Sequence, residues 1–370
     1  MGEKGGRSAS GPLFGAALTR RAALGRLAAI GGVGAACVGG FLSAAGWFTP
    51  GALTPARFTD RFEQVFGRHD GFRRNHAKGV SAAGHFTSSG AGAELSRAAV
   101  FAAGRTPVTG RFSLSGGMPF VADSAATVRG LGLLFHLPNG EQWRTAMVNV
   151  PVFTDRVPEG FHARLLAYAP VPATGQPDPG RVAEFLTRYP ETGRAMAIIK
   201  QTPPTSGFDN STFHGLNAFL FTNAAGTTVP VRWMMAPRQP VRAVTAGSPA
   251  GRDYLFDALI QSVATGPLHW DLLLIVGQPG DPTRDATTPW PVNRRVVNAG
   301  TLTIDSLQTE AAGNARDVNF DPLILPEGIA PSDDPLLSAR SAVYSVSFTR
   351  RAGEPKQPSE VNVPEARNGS

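Results

Sequence analysis

Arg73-Arg74-Asn75-His76-Ala77-Lys78-Gly79 is the stretch on which the reading of this chain turns. It places an imidazole among guanidinium groups and closes on glycine. A histidine exchanges protons near neutral pH, and an arginine binds a carboxylate through paired hydrogen bonds. Alone, such a histidine reads equally well as a surface or satisfied core residue. A counterpart lies toward the other end, Arg340-Ser341-Ala342-Val343-Tyr344. Residues four apart share a helix face, so Arg340 would sit beside Tyr344. A neighbouring cation favours the phenolate of a side chain whose free pKa is about 10. The other reading of Tyr344 is a core tyrosine with an exposed arginine one turn away.

Together these stretches resemble the distal and proximal faces of the haem catalases. The resemblance runs from about Thr54 to Arg351. Gly84 and Phe86 follow the first motif, then Val108-Thr109-Gly110-Arg111-Phe112-Ser113, Ala125-Ala126-Thr127-Val128-Arg129-Gly130 and Pro151-Val152-Phe153. Asp285-Ala286-Thr287, Pro289-Trp290-Pro291 and Ala299-Gly300-Thr301-Leu302 come next, and Phe320-Asp321-Pro322 and Pro331-Ser332-Asp333-Asp334 lead into the Tyr344 segment. The chain is most similar to the short catalase-related peroxidase branch, without the C-terminal helical and flavodoxin-like parts of full catalases.

The resemblance implies an α+β fold: a catalase-like closed antiparallel β-barrel with surrounding helices, binding haem b. It implies Tyr344 as the axial iron ligand, supported by Arg340. It makes His76 the distal acid/base, with Ser113 fixing its ring, and Arg73 and Arg111 the partners of the haem propionates. Phe153 and Phe161 match pocket-lining phenylalanines, with a plain core role as the alternative. Two departures stand out. Ala342 and Val346 replace the phenylalanine and aspartate that often flank the tyrosine. Val148 stands where catalases carry a peroxide-binding asparagine, and Asn149 lies next along. Neighbours on a strand face opposite ways, so Asn149 serves the site only if a bulge shifts the register. The implied activity is reduction of hydrogen peroxide or small organic peroxides by an unidentified external electron donor, small molecule or protein. A haem-dependent fatty-acid hydroperoxide isomerase and a non-enzymatic haem-binding protein are the alternatives.

The 370 residues are ample for a domain that buries a cofactor. Phenylalanine outnumbers tyrosine 22 to 4, which suits a dry aromatic interior. The net charge is +7, and five of its cations, Lys4, Arg7, Arg20, Arg21 and Arg26, lie near the N-terminus. No basic block interleaved with exposed aromatics suggests nucleic-acid binding. Thr19-Arg20-Arg21-Ala22-Ala23-Leu24 resembles a twin-arginine export signal and precedes an uncharged stretch from Leu27 to Phe48. Ser43-Ala44-Ala45 offers a cleavage site; an uncleaved anchor at 27–48 is the alternative, since about 20 residues span a membrane. Either way the folded part is expected in the periplasm or on the outer face of the membrane. The one cysteine, Cys37, lies in that stretch, which excludes thiol peroxidase and haem-thiolate chemistry in the body. The oligomeric state is open, a homo-oligomer among the options.

The expected domains are a targeting segment at 1–49, the haem domain at 50–351 and a disordered tail at 352–370. Within the haem domain a helix is predicted over Ala56–Phe66, and strands over Ala98–Ala102, Thr109–Ser115, Leu131–His136 and Ala146–Phe153. Helices follow at Phe161–Tyr168 and Pro179–Tyr189. A hairpin over Ala218–Thr222 and Thr228–Met235 turns at Asn223–Gly226. A helix at Asp253–Thr265 and a strand at Leu268–Val276 precede the Tyr344 helix, which starts at Ser332 or Asp333 as N-cap with Pro335 in its first turn.

Overall fold

In the computed structural model, strand pairing closes on itself. The strands are β1 (Gly79–Ser88), β2 (Gly104–Leu114), β3 (Arg129–His136), β4 (Gln142–Val148), β5 (Phe213–His214), β6 (Phe219–Thr222), β7 (Thr228–Pro237), β8 (Leu268–Val276), β9 (Val296–Gln308) and β10 (Ile329–Pro331). Their order is β10-β6-β7-β5-β4-β3-β2-β1-β9-β8, and a further β7–β8 pairing makes eight of them a ring. Every pairing is antiparallel. Closure removes the free strand edges that would otherwise invite association. The structure describes residue 2 and residues 53–244 and 251–364. The expected targeting segment therefore lies, apart from Gly2, outside the described residues. No helix among the described residues is long and apolar enough to cross a membrane.

Alternation along the strands divides the two faces of the barrel. On β4, Trp143, Thr145 and Met147 point to the buried interior while Ala146 and Val148 point outward. The interior is a continuous cluster that includes Phe86, Phe112, Phe135, Trp143, Trp233 and Trp270. Its rings interlock: Phe135 stacks on Trp143 at 4.9 Å, and Trp143 meets Trp233 edge-on at 5.2 Å. Such pairs add stabilisation beyond the area they bury.

The helices are α1 (Pro55–Phe66), α2 (Pro158–Ala167), α3 (Pro179–Arg188), α4 (Pro190–Gln201), α5 (Tyr254–Thr265) and α6 (Pro335–Ala352). Of these, α1, α2 and α6 pack together beside the outer face, whereas α5 buries Leu255, Phe256 and Leu259 in the core cluster. The expected hairpin forms as β6 and β7 around a turn with Gly226 at φ 81°. The N-cap of α6 is Asp334, one residue later than expected; its carboxylate accepts from the Leu336 N–H at 2.9 Å, with Pro335 in the first turn. Ala98–Ala102 is not a strand: Ala99–Phe101 is a 3₁₀ turn that plugs Val100 and Phe101 into the core. Strand β4 ends at Val148 rather than running to Phe153, and β1, β9 and α4 appear where no element was expected.

The expectation of a disordered tail from residue 352 fails for its described part. Val361 is buried in the barrel core, and the Val363 N–H donates to Thr309. Glu354 takes both ends of the Arg74 guanidinium and accepts the Gly71 N–H at 2.9 Å. The hydrogen bond from Arg74 above all pulls the Glu354 carboxyl down to about 2. A carboxylate with a depressed folded pKa stabilises above its unfolded pKa, and that contribution is lost as pH falls toward the folded value. Glu354→Gln should therefore cost about 3 kcal/mol at pH 7 in urea unfolding. The difference from wild type should shrink below about pH 4.5, the usual range of a free glutamate; a penalty that does not change with pH would show that the ion pair is not its source.

Candidate functional site

Outside the barrel wall, between it and helices α1, α2 and α6, a cavity encloses about 1340 Å³ of atom-free space, part of it open to solvent. Its barrel side includes the small residues Gly130, Gly132 and Ala146, with Val148, on β3 and β4. The glycines are needed there. A Cβ on Gly130 would lie 2.8 Å from Ser113 Oγ and 2.9 Å from the His76 ring.

His76 enters from the loop before β1 with a left-handed backbone, φ 56°. Such a conformation in a non-glycine residue needs outside support. The side chain of Asn75 supplies part of it, accepting from the His76 N–H at 3.0 Å and the Gly116 N–H at 2.8 Å. Arg111 supplies the rest, donating to the carbonyls of His76 at 2.8 Å and Ala77 at 3.1 Å. The ring Nδ1 lies 3.1 Å from Ser113 Oγ, which leaves Nε2 for the cavity. Burial, then the charges of Arg111, Arg340 and Arg73, lowers the imidazole to about 3. At neutral pH it is an uncharged base.

Five arginines line the same cavity, Arg73, Arg74, Arg111, Arg340 and Arg351, and three of them, Arg73, Arg111 and Arg351, gather around Glu310. Arg111 meets both oxygens of Glu310 at 2.8 Å, and Arg73 reaches one of them at 3.2 Å. Arg73 also donates to the carbonyls of Ala315 and Val318, at 2.8 and 2.9 Å, and Arg351 to Val318 at 3.1 Å. Burial, then Arg111 and Arg351, push Arg73 well down from its ordinary value. Arg74, the other arginine of the motif, faces Glu63 and Glu354 and ties α1 to the segment after α6.

Helix α6 presents Arg340, Val343, Tyr344 and Ser347 to the cavity. Tyr344 packs against the small cluster of Leu134, Ala315 and Phe320. The guanidinium of Arg340 donates to Asn217 Oδ1 and the Ala146 carbonyl, rather than to the phenol. Asn217 in turn donates to Asp334 at 2.8 Å, so one amide joins the helix cap to Arg340. Ser341 donates to Asp321 at 2.7 Å. These bonds fix the rotation and height of α6. Phe153 and Phe161 close the apolar side, with rings 5.5 Å apart.

The structure brings His76, Ser113, Arg73, Arg111, Phe153, Phe161, Arg340 and Tyr344 to this cavity, but not Asn149. The β3–β4 register runs without a bulge, so alternation puts Val148 on the cavity and turns Asn149 away. Asn149 exchanges two bonds with Arg129: its N–H donates to the carbonyl at 3.0 Å and its Oδ1 accepts the N–H at 2.7 Å. Sequence reasoning missed Arg351, although it lies seven residues, about two helical turns, after Tyr344. It also missed Asn217, Asp334 and Glu310, which reach their partners from distant parts of the chain and leave no local signal.

The residues fit a haem. A phenol on the helix wall, an imidazole on the barrel wall, guanidinium groups for carboxylates and a barrel wall of small residues fit such a group.

Residues 71–369 match the family model described as Catalase. A catalase-related peroxidase of Synechococcus elongatus is 38% identical over 306 residues, spanning 82% of this chain and 90% of that protein. One of Mycolicibacterium paratuberculosis is 32% identical over 307 residues, spanning 82% and 96%. Among solved structures, catalase A from Saccharomyces cerevisiae superposes with a TM-score of 0.70 at 20% identity, over 82% of this chain and 65% of that one. The barrel, the cavity and these matches agree: the chain belongs to the catalase family, on the side of its short catalase-related peroxidases.

Proposed function

We propose that this chain is a haem-dependent peroxidase that reduces hydrogen peroxide or small organic peroxides with an external electron donor. The observation that carries the reading is the neutral imidazole of His76, held by Ser113 on one wall of a cavity whose other wall presents Tyr344. The names of the relatives support the same chemistry.

Tyr344 would hold the iron, and Arg73, Arg111 and Arg351 the carboxylates, with Phe153 and Phe161 against the apolar rim. When bound, haem supplies the iron that splits the O–O bond and takes up the oxidising equivalents that the donor later repays. The protein's part is positioning and proton transfer. His76 Nε2 accepts the proton of the incoming hydroperoxide and passes it to the oxygen that departs as water or alcohol. A base with so low a pKa does not keep the proton, which favours its prompt return. Acid–base help of this kind is typically worth about 10²–10⁴-fold. Val148 offers no hydrogen bond to a second peroxide, so the site favours an outside donor over dismutation.

Three outcomes follow. Purified wild-type protein should carry haem and change its absorption spectrum on mixing with peroxide, whereas Tyr344→Phe should lose the haem or its wild-type spectrum; a variant with an unchanged spectrum would refute the axial assignment. The sign of the His76 shift sets the pH profile. A base with a depressed pKa is neutral above it, so the rate of reaction with peroxide should stay level from pH 7 down to about 4 and fall only toward about 3. A midpoint near 6.5, where a free histidine titrates, would contradict the depressed pKa of His76. Val148→Asn should raise oxygen release relative to donor oxidation. Vigorous oxygen evolution by the unaltered protein would contradict the role given to Val148.

A further inference from the structure

Glu310 follows β9 and reaches the arginine cluster from behind. Its carboxylate side chain is 8% exposed and bonded to Arg111 and Arg73, and it lines a small second cavity rather than the main one. Each of these two guanidiniums therefore has Glu310 at its back and the main cavity in front. Arg351 completes the cluster, lowered to about 10 by burial and by Arg111. Burial alone would raise the Glu310 carboxyl, but Arg111, then Arg73 and Arg351, bring it down to about 2. It is an anion at any pH where the protein works.

Nearby, Arg316 pairs with Asp317 and Lys356 is exposed. Arg340 also lines the main cavity, but on the Tyr344 side, bonded to the neutral Asn217 amide and the Ala146 carbonyl, and it is not among the charges that act on Glu310 or Arg73. Three guanidiniums less one carboxylate leave two positive charges, and a haem carries two carboxylates. Without Glu310, three buried cations would face one another before any haem arrived, and buried unpaired charges are costly.

We propose that Glu310 is a resident counter-anion that keeps the arginine cluster assembled in the haem-free protein and leaves a charge matched to the two haem carboxylates. It is a positioning residue, and the proposal rests on the haem reading above. Because Glu310 repels the incoming carboxylates while stabilising the empty site, its removal should have opposite effects on folding and on binding.

The experiment compares wild type with Glu310→Gln, haem-free and haem-loaded, by thermal unfolding, together with haem titration followed by tryptophan fluorescence. Glu310→Gln should lower the haem-free Tm by about 5–10 °C and the haem-loaded Tm much less. Its haem affinity should rise on the order of tenfold, the scale of one buried charge interaction, and this gain should vanish for haem dimethyl ester, whose carboxylates are blocked. If the haem-free variant does not fold, recovery on adding haem supports the proposal, and failure to recover overturns it. Equal loss of Tm in both forms, unchanged or weaker haem affinity, or an equal gain with the diester would each overturn it too. Wild type that takes up no haem would instead defeat the functional reading on which the proposal stands.

Discussion

The left-handed turn at His76 is the constraint on which the site depends. A side chain with a Cβ pays on the order of 1 kcal/mol or more to sit there. The Asn75 amide and the Arg111 guanidinium hold its backbone, and the Ser113 hydroxyl fixes the imidazole ring. Arg111 and Ser113 reach it because β1 and β2 pair with Ser81 opposite Arg111 and Gly79 opposite Ser113. A register slip of one residue would turn both into the aromatic core and release the histidine. The barrel is thus what aims the imidazole.

The same arginine serves the electrostatics. Arg111 caps the strained turn, pairs with Glu310 and contributes to the low pKa of His76. Backbone geometry, base strength and anion binding are coupled through one guanidinium, so a change at Arg111 could not be assigned to any of the three alone. On the helix side, Asn217 plays a comparable part, joining the cap of α6 to the arginine one turn before Tyr344. Removing charge there would test helix placement as much as ligand chemistry.

In the function proposed for the chain, Val148 sets the balance between the family's two kinds of chemistry. Its apolar side chain leaves His76 as the group on the barrel wall placed for proton transfer, which suits a single proton shuttle and a donor from outside.

Much of the site was legible in the sequence, because it is built from local motifs. Arg-x-x-His put Arg73 beside His76, Arg-x-Ser put Arg111 and Ser113 on one strand face, and the i, i+4 spacing put Arg340 and Tyr344 on one side of a helix. Strand alternation was also enough to turn Asn149 from the cavity once no bulge intervened. Elements with weak apolar periodicity were not legible. Gly79–Ser88 is a strand of mostly small and polar residues whose first four are buried on both faces, and Ala98–Ala102 is an apolar run buried as a turn. Apolar runs of that length do not reveal their own period. Tertiary structure alone decided what crosses the chain: Glu310 meeting Arg111 across 199 residues, Asn217 meeting Arg340 across 123, and Glu354 meeting Arg74 across 280. A buried charge must find a partner, but its sequence says only that it needs one; which one it finds is set by the strand register and helix placement that closing the barrel imposes.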